Sequence, residues 1–157
     1  MNTVCSRQVP NRQSYLCKLD CVGLELWRGN CSWAAMEIVT IANCQDYVAE
    51  DRAVAKEFMG PKSGGLKNLS IAEIVIPPGV TVKKHYHLES EETYHIVSGM
   101  GIMHLDGIEE SMSPGQAIAI LPGQWHSIHN PNETDLVMIV TCSPPWKFED
   151  QVFADEG

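Results

Sequence analysis

From Leu69 onward, apolar and polar residues alternate in short runs that glycine and proline cut off at regular intervals. "LSIAEIVI" (69–76) alternates and stops at Pro77-Pro78-Gly79; "TVKKHYH" (81–87) is extended; "ETYHIVSG" (92–99) runs to Gly99. "GIMHL" (101–105) and "IEESM" (108–112) flank Asp106-Gly107, a strong hairpin signal because both residues tolerate positive φ. Ser113-Pro114-Gly115 and Pro122-Gly123 bracket "QAIAIL" (116–121), and "HSIHN" (126–130) and "DLVMIVTC" (135–142) follow. Strands at this spacing, with no helix between them, predict an all-β antiparallel sandwich or small barrel. Upstream, "MEIVTIANCQDY" opens at Met36 with strand-like alternation, "YVAEDRAVAKEF" (47–58) reads as the one helix, and 59–68 as a loop leading into the barrel.

At 157 residues the chain has room for one domain with a hydrophobic core. Its longest apolar runs, such as 118–121 and 136–140, are strand length and far short of a membrane span. A formal charge of −9 has the wrong sign for nucleic acid, whose affinity comes from clustered Lys and Arg, and disfavours an anionic membrane. The charge is uneven: Arg7, Arg12, Lys18 and Arg28 against Asp20 and Glu25 give residues 1–35 a net +2, so the remainder carries −11. Cys5, Cys17, Cys21 and Cys31 also fall in that segment, which lacks the apolar run of a secretory signal and the second Cys/His pair of a zinc site. We read 1–35 as an N-terminal extension without fixed structure, ahead of a domain over 36–157 that starts at Met36. The expected setting is the cytoplasm, with reduced cysteines and unused sequons at Asn30, Asn68 and Asn132.

The candidate chemistry sits in "HYHLESEETYH" (85–95). On an extended run His85 and His87 point to one face, a two-ligand grip. Such a pair alone is more often packed or exposed than metal-bound. Glutamates at 89, 91 and 92 just past a short turn, and His126 directly after Pro122-Gly123, raise the odds of a metal.

The spacing resembles a known family. Gly79-x5-His85-x-His87-x4-Glu92-x6-Gly99 fits the first cupin motif, and Gly115-x5-Leu121-x-Gly123-x2-His126-x3-Asn130 fits the second, with Leu121 where proline is usual. Over about 69–150 the chain resembles a small single-domain cupin, including the ending "CSPPWKFED" (142–150) found in some small members. The resemblance implies a jelly-roll barrel, the double-stranded β-helix, in which His85, His87, Glu92 and His126 bind one divalent transition metal, Mn, Fe, Ni or Zn. Three imidazoles and one carboxylate suit such an ion and leave coordination positions open. Glu91 is then the rival to Glu92, and the glycine seven residues on favours Glu92.

Tyr94 shares the face of Glu92 and is the candidate acid/base, weighed against plain packing. His95 and His129 have the opposite parity to their neighbours, and His104 stays open between cavity and wall. Cys44 and Cys142 read as packing residues, and Trp146, Phe148 and Phe153 as a cover for a barrel edge or a dimer contact. The expected function is Lewis-acid chemistry on a small sugar-like or carboxylate substrate, of isomerase, lyase or decarboxylase type. The alternatives are an Fe(II) dioxygenase and a non-catalytic metal-dependent binding or sensing domain. A homodimer is expected.

Overall fold

The computed structural model describes residues 36–155. The extension over 1–35, with Cys5, Cys17, Cys21 and Cys31, lies outside them. Eleven strands form two antiparallel sheets. One carries β1 (Tyr47–Val48), β2 (Val54–Met59), β3 (Ser70–Ile76), β5 (Glu91–Ser98), β8 (Ala117–Ile120) and β10 (Leu136–Ser143), in the order β1-β2-β3-β10-β5-β8. The other carries β4 (His85–His87), β6 (Gly101–Leu105), β7 (Ile108–Met112), β9 (His126–His129) and β11 (Gln151–Phe153), in the order β11-β4-β9-β6-β7. This is the all-β architecture that the alternation predicts, and the two sheets are those of the double-stranded β-helix.

Period-two burial sets which residues meet inside. Along β5 the even positions Glu92, Tyr94 and Ile96 are buried and the odd ones exposed; along β10, Leu136, Met138, Val140 and Cys142 are buried. β10 pairs with β5 in register Val140↔Tyr94 and Cys142↔Glu92, so these four side chains form one inner patch. Ile76, Ile96, Ile128, Leu136 and Met138 fill the rest of the core between the sheets. The Asp106-Gly107 hairpin has φ of 48° and 86°, as its sequence predicts. Gly101 is required for space: a Cβ there would stand 2.7 Å from Ile128 Cδ1 and 2.8 Å from Leu136 Cδ2.

Two upstream expectations are corrected. Residues 47–58 are not helical but a β1–β2 hairpin at the sheet edge. The Ala49 N–H donates to Ala53 O, Arg52 takes φ 76°, and Asp51 Oδ1 accepts the Ala53 N–H, which closes a turn inside the proposed helix. β2 then pairs with β3 from Val54↔Val75 to Met59↔Ile71, and those ladder bonds override a helix-favouring composition. Residues 36–43 form no strand despite their alternation. No sheet edge reaches them, Met36 and Ile38 stay exposed, and Ile41–Asn43 close a 3-10 turn. Among the described residues no helix is long and apolar enough to cross a membrane.

Candidate metal centre

His85 and His87 stand at either end of β4, His126 opens β9, and Glu92 is the second residue of β5. The β4–β9 register places His85 opposite His126. All four side chains are buried, and one ligand atom from each lies within 4.8 Å of the others, so this cluster could hold a metal ion. Glu91 and Glu89 are exposed.

The hydrogen bonds around the imidazoles decide which nitrogen faces inward. His85 Nδ1 lies 2.7 Å from Lys83 O and His126 Nδ1 2.9 Å from Gln124 O. A carbonyl only accepts, so each Nδ1 carries the hydrogen and each Nε2 keeps its lone pair. His87 Nδ1 points at Asp150 Oδ2, 3.2 Å away, with the same consequence. Glu92 Oε2 stands 3.1 Å from His126 Nε2 and 3.3 Å from His87 Nε2, yet none of these three buried atoms has a hydrogen-bond partner. Lone pairs facing one another at this range, away from water, are a costly arrangement that a cation turns into bonds. The donor set therefore fits a divalent metal.

Charge agrees with geometry. Burial, reinforced by the charge of His126, lowers the His85 pKa to about 4, so this imidazole is neutral at neutral pH. Burial opposes the ionisation of Glu92, but where His126 and His87 carry a proton in place of a metal they outweigh it and hold the carboxyl at about 2. Burial also works against protonating His87, and the carboxylates of Glu92 and Asp150 reverse the balance and raise its pKa. A proton and a metal ion thus compete for the same Nε2 of His87.

Two neighbours went unnoticed in the sequence. Asp150 accepts the N–H of Glu89 at 2.8 Å and of Ser90 at 3.2 Å while holding His87, so it fixes the turn between β4 and β5 as well as a ring. It lies more than sixty residues from His87 in sequence, and parity arguments do not reach across that gap. Cys142 was read as packing. Its Sγ–H donates to Glu92 Oε1 at 3.3 Å, which occupies that oxygen and leaves Oε2 toward the cluster. Its inward position was legible from the alternation of 136–142.

A cavity of about 940 Å³ opens on this cluster, with His85, Glu92, Tyr94, Val140 and Cys142 in its wall. Tyr94 is 3% exposed and its ring meets that of His126 edge-on at 5.9 Å. Burial and the neighbouring Glu92 charge push its pKa well above the ordinary phenol value, so it remains a protonated donor. Trp146, Phe148 and Phe153 also line the cavity, and β11 pairs with β4 at the sheet edge, with Phe153 5.6 Å from His85. His95 is exposed, His104 turns to Glu109 at 3.3 Å, and His129 meets Thr81 Oγ1 at 2.8 Å, so none of the three joins the cluster.

The cupin-domain family profile matches residues 72–142. An uncharacterized protein of Methanocaldococcus jannaschii is 32% identical over 104 residues, 66% of this chain and 83% of that protein. The chain belongs to the cupin family. Among solved cupin structures it superposes on a predicted oxalate decarboxylase of Thermotoga maritima with TM-score 0.62, at 22% identity over 68% of this chain and 98% of that one. It superposes on the nucleoside dehydratase Pac13 of Streptomyces, solved with uridine, with TM-score 0.63, at 14% identity over 77% and 92%. At these identities the likeness is one of fold. Other curated relatives are covered over only 54–64% of their own length.

Proposed function

We propose that this cupin is a metal-dependent enzyme in which His85, His87, Glu92 and His126 bind one divalent first-row ion, with Tyr94 as the proton-donating residue. The observation that carries the reading is the set of buried atoms without partners, His87 Nε2, His126 Nε2 and Glu92 Oε2, converging beside a cavity large enough for a substrate. Bound there, the metal supplies Lewis-acid polarisation of substrate oxygens.

The chain's own residues do the rest. Lys83 O, Gln124 O and Asp150 hold the three rings with Nε2 inward. Cys142 holds Glu92 with one oxygen free. The phenol of Tyr94, kept protonated by burial, donates a hydrogen bond or a proton to a substrate oxygen as negative charge grows on it. That assignment fits isomerisation, dehydration or decarboxylation of a small oxygen-bearing substrate, the classes to which the dehydratase and the decarboxylase-like structure also point. A homodimer and a domain spanning 36–157 behind a separate 1–35 extension belong to the same proposal.

The test is turnover by the metal-loaded protein across a panel of hydroxy-acids, hydroxyketones and sugars. Tyr94→Phe is expected to lower kcat by roughly 10²-fold with metal content unchanged. Full activity in Tyr94→Phe would remove Tyr94 from the chemistry, and tight binding without turnover across the panel would favour a binding domain.

A further inference from the structure

The cavity has a charge and a surface that select among substrates, and this selection rests on the metal reading given above. Apart from the ligand Glu92, its wall holds four carboxylates, Asp46, Glu50, Asp51 and Glu57, of which Asp46 also lies 3.2 Å from Lys56 Nζ. Against them stand two ammonium groups, Lys62 and Lys83, and the Lys83 Nζ lies 2.8 Å from Glu50 Oε2. Arg52 is the one arginine among the described residues; it sits on the β1–β2 turn and does not line the cavity. Phosphate and carboxylate groups are ordinarily held by the forked donors of arginine or by uncommitted lysine. This wall offers no such fork, and its carboxylates outnumber Lys62 and Lys83, so its net charge disfavours them.

Nearer the cluster the lining is apolar: Ala53, Ile74, Val82, Met138 and Val140. An ionised group placed against these side chains would lose its hydration and gain nothing in return. Tyr47, Trp146, Phe148 and Phe153 add aromatic surface to the same wall, and Phe148 is largely exposed, open to a ligand's flank. One place accepts negative charge. A divalent ion with the single carboxylate of Glu92 leaves the centre at +1, which matches one ionised oxygen and no more.

We infer that this cupin takes a substrate that is uncharged, or carries a single negative charge on an oxygen pair that reaches the metal, and that carries an apolar, ring-sized body packed against the aromatic wall. Sugar phosphates and small dianions such as oxalate are excluded. Tyr94 then meets an oxygen of the chelating end, and the body lies toward Phe148.

The experiment compares three oxygen chelators on the full chain loaded with Co(II), by calorimetry, with metal content checked after each titration. Tropolone carries one ionisable oxygen pair, hinokitiol is the same ring with an isopropyl group, and oxalate is a dianion without an apolar body. Hinokitiol is expected to bind more tightly than tropolone and at least about tenfold more tightly than oxalate. Phe148→Ala, a change at an exposed side chain that should not disturb folding, is expected to bring hinokitiol down to the level of tropolone and to leave oxalate and metal content unchanged. Oxalate binding as tightly as hinokitiol, or hinokitiol no better than tropolone, would overturn the inference. A protein that takes up no Co(II) refutes the metal reading instead. The same order is then read by tryptophan quenching in the metal-free cavity, where equal affinities overturn the selection as well.

Discussion

At the scale of single residues, the centre depends on atoms that choose a tautomer. His85 and His126 are each fixed by a main-chain carbonyl two residues earlier, at Lys83 and Gln124, so any sequence that folds this way supplies those acceptors. His87 instead relies on a side chain, Asp150. The pairing of His85 with His87 was legible from parity on a strand, and the resemblance to the two cupin motifs implied Glu92 and His126 as the other two ligands. Asp150 and the thiol bond of Cys142 were not legible, since they depend on how a distant segment and a neighbouring strand come to rest. Asp150→Asn keeps the shape but can present an amide nitrogen to His87, which leaves the ring's tautomer undetermined. Metal affinity is expected to fall by roughly 10–100-fold, measured by competition with a chromogenic chelator. Unchanged affinity would show that the ring is held by packing alone.

At the scale of elements, the strands from β3 to β10 lie where the short runs and their turn residues place them, and β5 and β10 show the alternation most clearly because one face of each is buried. The failures lie at the edge. The segment 47–58 carries alanine, glutamate and lysine in its turn and in β2, which favour a helix in isolation, and pairing with the open side of β3 makes it a hairpin instead. β1 is the outermost strand of its sheet and exposes Tyr47 and Val48; β7 ends the other sheet and exposes Ile108. Unpaired edges with apolar residues invite a second copy, and on that ground we expect a dimer. Sedimentation equilibrium at micromolar concentration should give twice the chain mass, and the mass of a single chain would remove the expectation.

At the scale of the whole molecule, the fold brings four ligands from three strands of two sheets to one end of an apolar interior. Ile76, Ile96, Ile128 and Leu136 are fully buried in that interior. The chain beyond residue 35 is strongly negative at −11, the total of −9 less the +2 of residues 1–35, which suits a centre whose own charge is positive once filled. The central claim is that the converging atoms without partners are metal ligands. The measurement that tests it most directly is Mn(II) uptake by chelator-stripped protein, followed by electron paramagnetic resonance, for the wild type and His126→Ala side by side. One ion per chain in the wild type, and its loss in His126→Ala with the fold intact by circular dichroism, is the predicted result. Equal uptake by the two proteins would contradict it.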